Sequence, residues 1–318
     1  MNIAGKLTSI SGIKLTSQID FEIQDDTLRV TINDPSGNVQ DDKAAFESWI
    51  VAIMAKNNEE QEVMLDNKKQ KVLLDIKKVI LNLGPDKIDL GNPHFRCFMW
   101  RAYNFSKIYP DWFQIGNFSG QVQDFMNTNF IDAVLNQPTK KRETPEKSNK
   151  EPYIEWLFTN QYKSELCQLI GCNKIVNQFP VGIFIGKKSN KTALFPDKKR
   201  AIDIIGIEYP DILHFIELKY EDKPIGIISE FLLYAYTLRE KFITKTIRFD
   251  DKIKVSEYKD FESFEAKAIK GHLLAQDYHP LITPDVIELL NEGLKPFGIS
   301  IDRLRYERPD PDKDLRTN

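Results

Sequence analysis

Three polar side chains lie within or at the end of apolar runs in the second half of this chain, where their types and spacing suit metal chemistry. Asp203 interrupts the apolar segment Ile202–Ile204, and Glu217 and Lys219 end the segment Ile212–Lys219. Apolar runs of this length are typical of strands that are buried in a sheet. Burying an unpaired charge there is costly, so such groups persist where a partner or a metal ion neutralises them. Two carboxylates and a lysine that converge at a sheet edge are the groups that metal-dependent phosphodiester hydrolysis requires.

The tripeptide acid-x-Lys carries little information by itself in this lysine-rich chain. It recurs at Asp66-Asn67-Lys68, Asp75-Ile76-Lys77, Glu257-Tyr258-Lys259 and Glu265-Ala266-Lys267. Glu217-Leu218-Lys219 differs because it ends a strand with the composition of a buried one. Side chains alternate along a strand, so Glu217 and Lys219 share one face. If the strand of Asp203 lies beside it and runs antiparallel, Asp203 and Glu217 come within reach of one ion.

Two interpretations of this group of residues stay open at the level of sequence. Carboxylates are hard ligands that suit Mg²⁺ or Mn²⁺, and such an ion stabilises the charge that develops on a phosphate and lowers the pKa of its bound water. In the structural interpretation, Asp203 forms a salt bridge with Lys219 or Arg200, and Glu217 is simply exposed at a strand end.

Helices and strands alternate in the second half of the chain, which predicts a sheet covered by helices. The expected helices cover about 151–170, 227–242 and 284–294, and the expected strands about 174–185, 201–207, 212–219, 268–274 and 299–306. The predicted class is therefore α/β.

The first half of the chain has a different pattern, which predicts a separate α+β domain. A β-hairpin or meander is expected within the first forty residues, followed by a helix that Asp42 caps and that runs to Ile53. The segment 72–81 suits two strands or one helix, and 95–108 suits a helix. The segment 137–150 has no apolar residue except its prolines, which predicts a linker. The predicted domains are thus 1–136 and 151–308, with a polar tail at 309–318.

At these residues the chain resembles the PD-(D/E)xK nuclease superfamily, over roughly residues 151–236. The resemblance implies a restriction-endonuclease-like αβββαβ core, in which helices flank a mixed sheet. It implies that Asp203 and Glu217 bind Mg²⁺ or Mn²⁺ and that the backbone carbonyl of Leu218 completes the metal's ligands. It also implies that Lys219 orients or activates the attacking water.

The same resemblance implies further residues on two helices. The first helix of the family contributes another glutamate, for which Glu155 is the best match and Glu151 and Glu165 are rivals. Some branches carry Gln-x-x-x-Tyr on the helix after the third strand. Here that segment begins with Glu230 and ends with Tyr234, so the chain departs from the pattern at the first position. The spacing of four still puts both side chains on one helical face, where they are candidates for binding nucleic acid.

Basic residues in two segments are candidates for contacts with phosphate groups. Lys198-Lys199-Arg200 leads directly into the strand of Asp203. A solvated hairpin tip explains this loop equally well. Arg96, Arg101 and Lys107 alternate with aromatic residues in the segment 95–109, which suits packing of the first domain or, as an alternative, a nucleic-acid surface.

Composition limits the class of protein and its compartment. The chain has 318 residues, 29% of them charged, and a formal net charge of -3, which argues against a protein that coats nucleic acid through a broadly basic surface. Its three cysteines form no CxxC pair, its four histidines show no zinc spacing, and no signal peptide or membrane span is evident. A cytoplasmic protein without a membrane partner is expected.

Together these features predict a Mg²⁺-dependent nuclease that hydrolyses DNA, in preference to RNA, in defence, restriction or repair. The biological setting rests on fold analogy alone. The alternative is a catalytically inactive module of the same fold that binds nucleic acid or a protein partner. A homodimer is an open alternative to a monomer.

Overall fold

The computed structural model describes residues 4–85, 88–130, 132–139, 144–189, 192–196, 200–221 and 223–307. These residues form two compact units. The first comprises the described residues of Met1–Thr128, Pro224–Leu232 and His279–Gly293, and the second those of Asn129–Lys223, Leu233–Tyr278 and Leu294–Asn318. Both units are therefore built from separate stretches of the chain. None of the described helices is long and apolar enough to cross a membrane.

The described residues up to 129 form nine strands and three α-helices. The strands are β1 (Ala4–Leu7), β2 (Ser9–Ile10), β3 (Ile13–Lys14), β4 (Ile19–Gln24), β5 (Thr27–Ile32), β6 (Glu60–Leu65), β7 (Lys68–Leu73), β8 (Lys78–Leu83) and β9 (Phe113–Ile115). The helices are α1 (Phe46–Ala55), α2 (Pro93–Ile108) and α3 (Ser119–Asn129). Seven of the strands form a mixed sheet in the order β7-β6-β1-β4-β5-β8-β9. The predicted hairpin and the helix over 95–108 are confirmed, and the segment 72–81 contains the end of β7 and the start of β8 rather than a helix.

Two expectations for this first unit are wrong. Asp42 does not cap α1: the helix begins at Phe46 without a side-chain cap, and the carbonyl of Asp42 instead accepts a hydrogen bond from Trp49 Nε1 at 3.0 Å. Arg101 does not line a surface for nucleic acid. It is buried, and its Nε donates to Glu47 Oε1 at 2.8 Å, so its charge is compensated inside the unit.

From residue 133 onward the described residues form eight strands and four α-helices. The strands are β10 (Ala133–Leu135), β11 (Lys174–Pro180), β12 (Ile183–Ile185), β13 (Ala201–Glu208), β14 (Ile212–Lys219), β15 (Arg248–Phe249), β16 (Ala268–Ala275) and β17 (Ile299–Arg305). The helices are α4 (Lys150–Thr159), α5 (Lys163–Ile170), α6 (Ile227–Phe242) and α7 (Pro284–Leu294).

In the predicted linker, Gln137 and Pro138 are buried and residues 146–150 are exposed, whereas 140–143 and the predicted tail 309–318 lie outside the described residues.

The second unit contains a five-stranded mixed sheet in the order β11-β13-β14-β16-β17. β11, β13 and β14 pair antiparallel, while β14, β16 and β17 pair parallel. β13 and β14 are almost continuously apolar and buried because each has a neighbour on both sides and is covered on its faces. Apolar residues of these strands form one cluster with residues of α4 and α5: Ile204, Ile216 and Leu218 with Ile154, Leu157, Phe158 and Leu166. The fold is thus mixed α/β, with mixed sheets and flanking helices.

The helix expected over 151–170 is broken into α4 and α5. The Thr159 hydroxyl donates to the carbonyl of Glu155 at 2.9 Å, and Asn160 Nδ2 donates to the carbonyl of Trp156 at 2.9 Å. Side chains that bond to the backbone in this way compete with helical hydrogen bonds, which explains the end of α4. α5 then ends at Gly171, whose φ of 83° is the left-handed conformation that glycine tolerates.

The five-stranded sheet also carries a buried histidine pair. His214 Nε2 lies 2.9 Å from Glu208 Oε2, and His214 Nδ1 lies 3.0 Å from His272 Nε2. His272 Nδ1 lies 2.6 Å from Asp302 Oδ1. The two residues are 58 positions apart in sequence, and they meet because β14 and β16 are neighbours.

The burial of His214 makes the stability of the protein sensitive to acid. Burial lowers the pKa of His214 to about 4, against about 6.5 in an unfolded chain. Between these values the unfolded state binds a proton that the folded state excludes, so the free energy of unfolding decreases as the pH falls below 6.5. We expect His214 to account for a loss of about 2 kcal/mol between pH 7 and pH 5.

Urea unfolding at the two pH values measures this loss. His214→Gln should lack this part of the pH dependence, whereas the control His94→Gln should retain it. An identical pH dependence in His214→Gln and in the wild type would contradict the prediction.

Candidate active site

Asp203 and Glu217 lie at the same end of two adjacent strands. β13 and β14 pair antiparallel, with Ile204 opposite Ile216. In this antiparallel register, the residues next to that pair, Asp203 and Glu217, also stand opposite each other. Because Ile204 and Ile216 both pack into the apolar cluster with α4 and α5, alternation puts the side chains of Asp203, Glu217 and Lys219 on the other side of their strands.

Lys219 and Glu217 form a buried ion pair. Lys219 Nζ lies 2.7 Å from Glu217 Oε1, and the two residues are only 6% and 2% exposed. The structural interpretation, in which Glu217 is exposed at a strand end, is therefore wrong. The end of β14 is covered because Lys219 pairs with Ala275 of β16, and the Tyr306 hydroxyl donates to the carbonyl of Lys219 at 3.1 Å.

Helix α4 brings two glutamates to these strand ends. Glu155 Oε2 accepts a hydrogen bond from Gln178 Nε2 at 2.5 Å, and the Glu155 carboxyl group lies beside that of Asp203, so that each affects the pKa of the other. Glu151 Oε1 lies 3.8 Å from Lys219 Nζ. The spacing of four puts both glutamates on one face of α4, so both reach the group. We call Glu151, Glu155, Asp203, Glu217 and Lys219 the acidic cluster.

The third candidate glutamate, Glu165, lies in different surroundings from Leu218, whose carbonyl is the expected metal ligand. Glu165 is exposed on α5, so its side chain does not share the buried environment of the acidic cluster. Leu218 lies between Glu217 and Lys219, and its backbone N–H donates to Asp203 Oδ2 at 2.7 Å. This bond fixes the direction of the Asp203 carboxyl group. The role of the Leu218 carbonyl as a metal ligand stays a prediction.

The acidic cluster contains four carboxyl groups and one ammonium group, and this imbalance perturbs its titration. Burial raises the pKa of Asp203 well above its usual range, and the neighbouring Glu155 charge raises it further. Burial likewise raises the pKa of Glu155 to about 7, and the negative charges of Glu217 and Glu151 contribute to this rise. Carboxyl groups in this situation hold protons until a cation compensates their charge.

The donor set of the acidic cluster fits a hard divalent cation. Asp203, Glu217 and Glu155 supply only oxygen ligands, and their excess negative charge is the kind that Mg²⁺ compensates. Within the described residues, no three Asp, Glu, His or Cys side chains have the arrangement of a preformed metal site. An ion would have to compete with Lys219 for the carboxylate of Glu217, because these two side chains now bond to each other.

The residues predicted to contact nucleic acid are only partly described. Lys198 and Lys199 lie outside the described residues, and Arg200 is half-buried directly before β13. Glu230 is buried on α6 and accepts a hydrogen bond from the side chain of Gln40. Tyr234 is also buried, and its hydroxyl donates to the carbonyl of Ala201 at 3.3 Å. Their role in binding nucleic acid stays a prediction.

Of the further members of this environment, the sequence names Glu151 only as a rival of Glu155 and does not indicate Gln178. The resemblance implies one glutamate from the helix, whereas both Glu151 and Glu155 lie at the acidic cluster. Gln178 belongs to no motif, and its contact with Glu155 depends on a local backbone conformation that the sequence does not signal.

Comparison of the chain with protein-family models gave no match, and comparison with curated proteins gave none either. The function of the acidic cluster therefore has to follow from its own geometry and chemistry.

Proposed function

We propose that this chain is a Mg²⁺-dependent nuclease that hydrolyses phosphodiester bonds of DNA at the acidic cluster. The observation that carries the proposal is the convergence of acids from three elements: Glu155 from α4, Asp203 from β13 and Glu217 from β14. Asp203 contacts Glu155, and Lys219 lies 2.7 Å from Glu217. An acid-rich, buried site with one lysine is suited to a divalent cation and to a phosphate that approaches it.

The order of the elements supports the same proposal. Helices α4 and α5 precede β11, β13 and β14, then α6 leads to β16. The antiparallel pairing of β11, β13 and β14 and the parallel addition of β16 agree with an αβββαβ core of the restriction-endonuclease-like kind. The three cysteines are free thiols, which agrees with a reducing cytoplasm.

The residues of the acidic cluster have distinct tasks in this mechanism. A bound Mg²⁺ would polarise the phosphate and lower the pKa of its water. Asp203, Glu217 and Glu155 would hold the ion, and the hydrogen bond from the Leu218 N–H fixes the direction of the Asp203 carboxyl group. Lys219 supplies a fixed positive charge beside Glu217, where it stabilises negative charge on the reacting phosphate and orients the attacking water.

A calorimetric titration with MgCl₂ tests whether the acidic cluster binds the ion. Glu155 has a pKa of about 7, so it is mainly protonated at pH 6 and mainly ionised at pH 8. Asp203, whose pKa is also raised, must lose its proton as well. Since the ion displaces these protons, affinity should rise about tenfold or more between pH 6 and pH 8. Glu155→Gln should weaken binding and reduce this pH dependence.

Glu165→Gln is the matched control, because Glu165 is an exposed glutamate on the next helix. It should bind Mg²⁺ like the wild type. Absence of Mg²⁺ binding by the wild type, or equal effects of the two glutamine variants, would contradict the proposed metal site. Binding of Mg²⁺ without cleavage of any nucleic acid would instead favour the inactive module.

A further inference from the structure

Strand β11 has a local break in its regular geometry directly opposite Asp203. Asn177 pairs with Ile204 and Phe179 with Ile202, so Gln178 and Asp203 stand between these two pairs. Gln178 has a φ of 54°, in the left-handed region that residues with a side chain rarely occupy within a strand. Such conformations concentrate at functional sites, where they direct a side chain that regular geometry would direct elsewhere.

The surrounding structure fixes the backbone on both sides of this residue. Phe179 is fully buried and packs against other aromatic rings, with its centroid 5.2 Å from that of Phe261 and 6.3 Å from that of Tyr258. The Tyr258 hydroxyl donates to the carbonyl of Asn177 at 2.8 Å. A disfavoured conformation persists only where its neighbours determine it in this way.

The unusual backbone directs the carboxamide of Gln178 towards the acidic cluster. Gln178 Nε2 donates to Glu155 Oε2 at 2.5 Å, and Glu155 in turn contacts Asp203. The amide is a neutral donor. It orients the carboxylate without cancelling its charge, whereas a lysine or arginine in this place would compete with a cation for Glu155.

We infer that Gln178 is a positioning residue of the proposed metal site, which directs the Glu155 carboxylate towards the ion shared with Asp203. This inference rests on the proposed function. It assigns Gln178 no contact with the substrate. Loss of an outer hydrogen bond of this kind commonly lowers metal affinity by about 10–100-fold.

Gln178→Met tests the inference because methionine has a similar length and no amide donor. Calorimetry should show Mg²⁺ affinity reduced by about 10-fold or more. In cleavage assays, the Mg²⁺ concentration for half-maximal rate should rise by a similar factor, while the rate at saturating Mg²⁺ stays within a few-fold of the wild type. Gln168→Met, at an exposed position on α5, is the control and should change neither quantity.

Gln178→Gly separates positioning from structural support. Glycine favours the left-handed backbone of this position, so the melting temperature should not fall. The variant should nevertheless lose Mg²⁺ affinity as Gln178→Met does. A lower melting temperature with unchanged Mg²⁺ affinity would overturn the inference and give Gln178 a structural role.

The failure of this inference differs from the failure of the proposed function. If the wild type binds Mg²⁺ and both variants bind it equally well, Gln178 is not a positioning residue and the proposed function stands. If the wild type binds no Mg²⁺, the proposed function fails and the inference fails with it.

Discussion

Replacing Asp203 with Asn should lower the rate of Mg²⁺-dependent DNA cleavage by about 10³-fold or more. Asparagine keeps the shape of the side chain and can still accept the hydrogen bond from the Leu218 N–H, which is 2.7 Å long in the wild type. It removes the negative charge that the ion requires. Because burial and Glu155 already disfavour the ionised form of Asp203 and raise its pKa, the neutral amide should not lower the melting temperature.

Cleavage rate and thermal unfolding of the purified variant measure these two effects together. Asp251→Asn is a suitable control, since Asp251 is an exposed acid of the second unit. It should cleave like the wild type. If Asp203→Asn cleaved DNA within tenfold of the wild-type rate, Asp203 would have no place in the mechanism.

Replacing Lys219 with Ala should reduce cleavage by about 10²–10⁴-fold and should also destabilise the protein. The second effect follows from the buried ion pair with Glu217, because removal of one partner leaves an uncompensated buried carboxylate. Such a loss costs about 3–5 kcal/mol. Mg²⁺ should restore part of this stability, so it should raise the melting temperature of the variant more than that of the wild type.

A double variant separates the catalytic from the structural contribution of Lys219. Lys219→Met combined with Glu217→Gln replaces the buried ion pair with neutral side chains of similar size, which is commonly neutral or stabilising. It should melt near the wild-type temperature and remain inactive. If Lys219→Ala melted much earlier than the wild type but retained its activity per folded molecule, Lys219 would have only the structural role.

The strands and helices of the second unit could be predicted because their apolar runs are long and clearly bounded. The predicted range 212–219 is the observed β14, and 227–242 is the observed α6. The break between α4 and α5 could not be predicted, because it depends on side-chain bonds from Thr159 and Asn160 to the backbone. The apolar face of a helix also does not show to which unit the helix belongs. Helix α7 is an example, because its residues through Gly293 belong to the first unit.

Within the candidate site, period-two alternation was sufficient to put Glu217 and Lys219 on one face. It could not predict that both side chains are buried. The end of β14 is covered by Ala275 and Tyr306, which are distant in sequence. The contribution of Gln178 was also beyond prediction. A left-handed residue inside a strand follows from tertiary packing around it, here that of Phe179, rather than from a local sequence signal.

The central claim is tested most directly by a cleavage assay on linear, circular and single-stranded DNA, with RNA of the same sequence beside them. Wild type and Asp203→Asn are compared in Mg²⁺, in Mn²⁺ and in EDTA. If the protein is a metal-dependent nuclease acting at the acidic cluster, the wild type should cleave DNA with either ion and should not cleave it in EDTA. Asp203→Asn should lose cleavage with either ion. Folded wild-type protein that cleaves no nucleic acid with either ion, or cleavage that persists unchanged in Asp203→Asn, would contradict it.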